Sequence, residues 1–180
     1  MTGILFHQLT LVNFSEKYLA KQNEAIQIGW YAIKIWAPGI SGYIIENHGG
    51  HLMVVQNDRQ VTYRVEINND KSVSIFSSRR NKYLHLDAGA FLFNAPCSKA
   101  PAPEACFELY EVERHEGHDM ELEGGRGSVY IPTRISAKLK SLSNALFLRV
   151  CESKNHKGQA IFSTVFNKWD ASKFQFEVPS

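Results

Sequence analysis

Cysteine is scarce in this 180-residue chain: there are three, Cys97, Cys106 and Cys151. An odd count without regular spacing argues against a disulfide framework and for a reducing compartment, so the expected location is cytoplasmic. One Cys97–Cys106 bridge across the proline-bearing loop between them stays open. Long apolar runs are missing too, none approaching the ~18 residues a membrane-spanning helix needs. The opening stretch MTGILFHQLTLVNF lacks a basic region, an unbroken apolar core and a small-residue cleavage site, so no signal peptide is read from it. Charge of one sign is also lacking: 20 Lys and Arg face 18 Asp and Glu, a net charge of +2. That balance removes any global electrostatic case for nucleic acid or an anionic membrane.

Signs of catalysis are equally thin. A nucleophile needs an oriented base, and no G-x-S-x-G elbow is present; Gly39-Ile40-Ser41-Gly42 only approaches one. Cys151 falls in an alternating strand and reads as a small core residue, while Glu111 and Glu113 read as solvent-facing strand positions. The expectation is a chain that is not an enzyme, with no catalytic residue and no cofactor. His48 and His51 flank Gly49-Gly50, and His115 and His118 form an H-x-x-H beside Glu116 and Asp119. Neither pair supplies the three or four ligands of a metal site, so no metal is expected.

What the chain does have is apolar material, 44% hydrophobic and 12% aromatic, arranged mostly with a period of two. Residues 4–14 alternate loosely. Residues 15–36 divide into short strands, but Leu19, Ile26, Trp30 and Ile33 also share one helical face behind a Ser15 cap, which favours a helix over Ser15–Gln27. The spacing is read as a short N-terminal helix, with strand character after Gly29. From Gly42 onward the signals are β. Tyr43–Glu46 and Leu52–Val55 flank a turn at 47–51, Val61–Ile67 and Val73–Phe76 a turn at 68–71, and Tyr83–Leu86 and Phe91–Phe93 a turn at 87–89. A proline- and alanine-rich loop, Pro96–Ala105, leads to Phe107–Val112. Residues 113–128 are charged and glycine-rich and read as a solvated, mobile loop. Four more strands follow, at Val129–Ile131, Leu146–Val150, Ile161–Phe166 and Phe174–Val178.

These strands repeat. A closing run appears as Phe107-Glu108-Leu109 with Val112 and as Phe174-Gln175-Phe176 with Val178, with a cousin in Tyr63–Ile67. A middle run appears as Lys82-Tyr83-Leu84 and Leu146-Phe147-Leu148. The units are approximately 40–68, 72–113 and 128–178, within a single domain 1–180. Residues 1–39 are either an N-terminal extension or part of the first unit. The fold class predicted is all-β, a β-trefoil with three imperfect repeats; a β-sandwich or jelly roll is the alternative.

The run Val73–Ser78, then Asn81–Asp87, then Phe107-Glu108-Leu109 resembles the repeat of fascin-like, actin-cross-linking β-trefoils, where V-x-L-R-S precedes G-K-Y-L and a closing F-E-L. Asn81 stands at the family's glycine. The match is good over 72–113, loose in the third unit and poor in the first. The resemblance implies a binding module whose partner is an actin-type filament. Two groups of residues are candidates for binding. Basic residues concentrate at Arg79, Arg80 and Lys82, at Arg134, Lys138 and Lys140, and at Lys154, His156 and Lys157. If trefoil symmetry gathers these turns, they make a patch suited to an acidic protein surface or a sulfated glycan. Nucleic acid would want basic residues interleaved with exposed aromatics, and the aromatics here fall mostly at core-like positions. The second group is Asn167, Trp169 and Asp170, in a turn where an indole could stack on a sugar; the Q-x-W motif of ricin-type lectins is absent. The function expected is non-catalytic protein binding through hairpin turns, with carbohydrate binding as the alternative.

Overall fold

The structure is a computed structural model, and it describes residues 29–56, 61–87, 90–95, 101–121 and 123–179. Six strands close into an antiparallel ring. β1 (Gly29–Ala37) pairs with β4 (Tyr63–Ile67), and β4 with β5 (Val73–Ser77). β5 continues to β8 (Phe107–Glu121), β8 to β9 (Ser128–Ser141), β9 to β12 (Phe174–Glu177), and β12 returns to β1. The remaining strands form three hairpins: β2 (Ile40–Glu46) with β3 (Leu52–Val55), β6 (Lys82–Asp87) with β7 (Ala90–Ala95), and β10 (Phe147–Glu152) with β11 (Ala160–Val165). A ring of six strands with a hairpin inside each four-strand unit is a β-trefoil, and closure leaves the ring no free edge.

The period-two pattern explains the core. Tyr31, Ile33 and Ile35 of β1, Tyr63 and Val65 of β4, Phe107 and Leu109 of β8, Ile135, Ala137 and Leu139 of β9, and Phe174 and Phe176 of β12 are all buried in one cluster. The closing runs therefore place an aromatic ring from each unit in a shared interior, where each contributes about 3 kcal/mol or less by area removed from water. The seam between first and last units is also polar: the Tyr43 hydroxyl donates to buried Glu177 Oε1 at 2.8 Å.

The strand character expected after Gly29 is present: among the described residues β1 is a ring strand that pairs with β12, β2 and β4, which makes it part of the first unit. Trp30 and Ile33, assigned to a helical face, therefore lie on a strand; the helix expected over 15–27 lies outside the described residues. Residues 113–121, read as part of a loop, are instead a strand, paired with 128–136 in a two-stranded ribbon that takes in the strand expected at Val129–Ile131, with Glu113 opposite Ser136 and Glu121 opposite Ser128. The charged and glycine-bearing run 113–121 has no apolar alternation, so pattern alone cannot tell such a strand from a loop. A bulge between Tyr110 and Glu113, with Glu111 at φ +53°, marks where the ribbon leaves the ring. Finally, Cys106 is a buried free thiol, so the Cys97–Cys106 bridge is not formed; Cys97 lies outside the described residues.

Candidate functional site

After β11 the chain makes a single turn of 3-10 helix, Lys168–Asp170. Asn167 fixes it: its Oδ1 accepts from the Trp169 amide at 3.0 Å, and its carbonyl accepts from the Asp170 amide at 3.0 Å. An Asx cap of this kind orders a short turn that has little hydrogen bonding of its own. The ordered turn holds two aromatic rings in solvent, Trp169 at 75% and Phe166 at 89% exposure.

Beneath the turn lies Lys138, buried inside β9, where the sequence reading had put a partner-binding cation ahead of a strand. Its Nζ donates to the Lys168 carbonyl at 2.8 Å, pairs with Glu111 Oε1 at 3.2 Å and lies 5.9 Å from the centre of the Trp169 ring. Lys168 Nζ is 3.9 Å from Glu111 Oε2 and 5.4 Å from the same ring. The left-handed backbone of the bulge is what swings Glu111 between the two ammonium groups. Lys138 thus acts as a post under the turn, its charge balanced by Glu111 and its donors used on backbone and carboxylate. Lys140, also inside β9, lies over Tyr110 and Phe147, at 5.3 and 5.7 Å from their ring centres.

The polar line continues along the ribbon. Lys173 Nζ donates to Glu113 Oε2 at 2.7 Å, His115 Nε2 is 3.8 Å from that same oxygen, and it meets Ser136 Oγ at 2.8 Å. The hydrogen bond from Lys173, then its charge, hold the Glu113 carboxyl below its ordinary value of 4.5. A carboxyl lowered on folding stabilises the fold above the unfolded value and loses that contribution as pH falls through the folded one. NMR titration should find the Glu113 midpoint below that of free glutamate, and Lys173→Met should raise it; an unchanged midpoint would remove Lys173 as the cause.

The other predicted binding residues lie elsewhere. Arg79 and Arg80, on the β5–β6 turn, reach back to the first hairpin: Arg79 pairs with the Glu46 carboxylate and Arg80 donates to the His48 carbonyl. Lys82 opens β6 opposite Ser77. Lys154 and Lys157 are exposed on the β10–β11 tip, where Ser153 Oγ accepts from the amides of Asn155 and His156. His48 and His51 share a turn ordered by Asn47 Oδ1, which accepts from the amides of Gly49 and His51. Among the described residues, no three His, Cys, Asp or Glu side chains converge as metal ligands.

Phe166, Lys168 and Glu111 were missed as site residues. Phe166 read as the end of an apolar strand, and Glu111 as one of two surface carboxylates. A phenylalanine directly before an Asn-x-x-Asp turn was the available signal.

No family model matches this chain, and no curated protein matches it. Solved structures do. SeviL bound to the asialo-GM1 saccharide is similar at 12% identity and a TM-score of 0.51, over 85% of this chain and 100% of that one. The S. cerevisiae protein O-mannosyltransferase complex bound to the sugar donor is similar at 10% identity and a TM-score of 0.58, over 86% of this chain and 25% of that one. A Culex salivary protein of the Cysteine and Tryptophan-Rich family is similar at 9% identity and a TM-score of 0.51, over 84% of this chain and 96% of that one. At such identities the likeness is one of fold.

Proposed function

We propose that this chain is a non-catalytic saccharide-binding module and that Trp169 is its stacking platform. The observation that carries the reading is an indole with 75% of its surface in water, held there by a capped turn and a buried lysine. Exposed rings fixed in one orientation lose little entropy on binding, and the C–H face of a sugar suits the negative face of an indole. Around the ring, Glu111 and Asp170 offer oxygens to hydroxyl donors, while Lys168 supplies a donor. One of the similar structures, matched over its whole chain, is described as bound to a saccharide, which supports the reading at the level of fold.

Glycan-array binding followed by titration tests it. On galactosyl, mannosyl and N-acetylglucosaminyl oligosaccharides and the asialo-GM1 saccharide, Trp169→Ala is expected to weaken affinity about tenfold or more at this site, about 1.4 kcal/mol. Absence of binding by the unaltered protein, or affinity unmoved by the substitution, would overturn the reading.

The alternative, a protein partner such as an actin-type filament, has less to hold it. Arg79 and Arg80 are engaged by Glu46 and His48, which leaves Lys82, Lys154 and Lys157 for a partner surface. Pelleting with filaments at low ionic strength, where screening is least, would bring that partner forward.

A further inference from the structure

Two hairpins of the trefoil meet the first turn of the next unit, and the two junctions are built differently. Glu46 is the last residue of β2, paired with Leu52; Glu152 is the last residue of β10, paired with Ala160. The two carboxylates hold equivalent places. Opposite Glu46 stands the four-residue turn 78–81, between paired Ser77 and Lys82, whose Arg79 and Arg80 fill the junction. Opposite Glu152 stands a turn of only Pro38-Gly39, between paired Ala37 and Ile40. It has no charged or hydrogen-bonding side chain to send across, and a Cβ on Gly39 would fall 2.4 Å from Glu152 Oε1.

The result is a cleft of about 450 Å³, lined by Trp36, Gly39, Ser41, Val54, Gln56 and Gly158. Trp36 is 48% exposed, with Lys34 Nζ 4.8 Å from its ring centre. Glu152 lies between the two glycines, its Oε2 accepting from the Gly158 amide at 2.7 Å. No ion pair joins Glu152 to a cation among the described residues.

We infer that this cleft is a second saccharide site, so that one chain holds two glycans and cross-links a multivalent surface. The inference rests on the saccharide reading of Trp169. The lining supplies an indole for the apolar face of the ring and a hydroxyl and an amide for its oxygens, and beside the lining Glu152 can accept from hydroxyls and Lys34 can donate. A cation in the manner of Arg79 is the competing occupant. Lys34 beside Trp36, and Lys154 and Lys157 on the Glu152 hairpin, repel it. The two sites stand on different units, the cleft at the junction of the first and third and the platform on the last loop of the third. Simultaneous engagement would raise avidity without any new contact.

The experiment uses the full chain and the same galactosyl, mannosyl and N-acetylglucosaminyl oligosaccharides, free for calorimetry and coupled to beads for cross-linking. Expected are two saccharides bound per chain and aggregated beads. Trp36→Ala and Glu152→Ala should each leave one saccharide bound and abolish aggregation, as should Trp169→Ala. Using two cleft substitutions guards against one that fails to fold. One saccharide per chain, lost with Trp169→Ala and indifferent to both cleft substitutions, overturns the second site alone. No binding of any oligosaccharide overturns the Trp169 reading and the cleft with it. Binding of an arginine peptide in the cleft, with no saccharide bound there, overturns the ligand class.

Discussion

Arg79→Ala is expected to lower folding stability by about 3 kcal/mol, a large effect for a residue that is half exposed. The cause is its partner. The Glu46 side chain is 2% exposed, and its Oε2 is buried without a hydrogen-bond partner among the described residues. Removing the guanidinium leaves a carboxylate out of water with nothing to balance it, so it must protonate or drag water into the junction. Adding Glu46→Gln to the Arg79→Ala protein should restore much of the loss, because a neutral amide costs less to bury than an unpaired charge. Thermal and urea denaturation provide the measurement. For a chain of this size, about 3 kcal/mol corresponds to a midpoint roughly 6–12 °C lower. A change under about 1 kcal/mol, typical of surface ion pairs, would show that the junction is wet and that Arg79 is available to a partner after all.

Gly42→Ala should destabilise by a comparable amount, about 3 kcal/mol, for a different reason. Gly42 sits at φ +153°, and an added Cβ would fall 2.3 Å from the Val55 carbonyl oxygen and 2.7 Å from its carbon. Those atoms are backbone, held by the ladder pair of Tyr43 with Val55, so no side chain can swing aside. The β2–β3 hairpin would have to part next to Val54 and Gln56, which line the cleft. Gly39→Ala provides the contrast. Its nearest obstacle is the end of the Glu152 side chain, which can move, so its loss should be smaller and dominated by backbone strain at φ +82°. Equal midpoints for the Gly42 variant and the parent protein would show that the strands separate freely there.

The alternation that places Tyr63, Phe107 and Phe176 inside was readable, because side chains on a strand change face at every residue and the core needs one face apolar. The ring was not, because a strand's own residues do not name its partner. β1 illustrates the difference: Trp30, Ile33 and their neighbours satisfy a helical stripe and a strand equally well, and pairing with β12, β2 and β4 decides between them. Residues 113–121 carry no apolar alternation, so that strand becomes visible only through the register that joins it to β9.

The site divides along the same line. Trp169 was readable because Asn167 and Asp170 mark a turn, and a turn exposes what it carries. The company it keeps was not: Lys138, Glu111 and Lys168 come from three places in the sequence and meet through a one-residue bulge that no local pattern announces. Arg79 and Arg80 read as free surface charge because their acidic and carbonyl partners lie more than thirty positions earlier.

By itself, then, the chain determined the alternation of its core strands, its hairpin turns and the presence of an aromatic ring on a polar turn, since each depends on residues close together in sequence. The tertiary structure decided which strands close the ring, which charges are consumed inside it, and which junction is left open. Those outcomes depend on a turn's length and on contacts between distant units. Two residues at Pro38-Gly39 where the next unit has four separate a cleft from a closed seam.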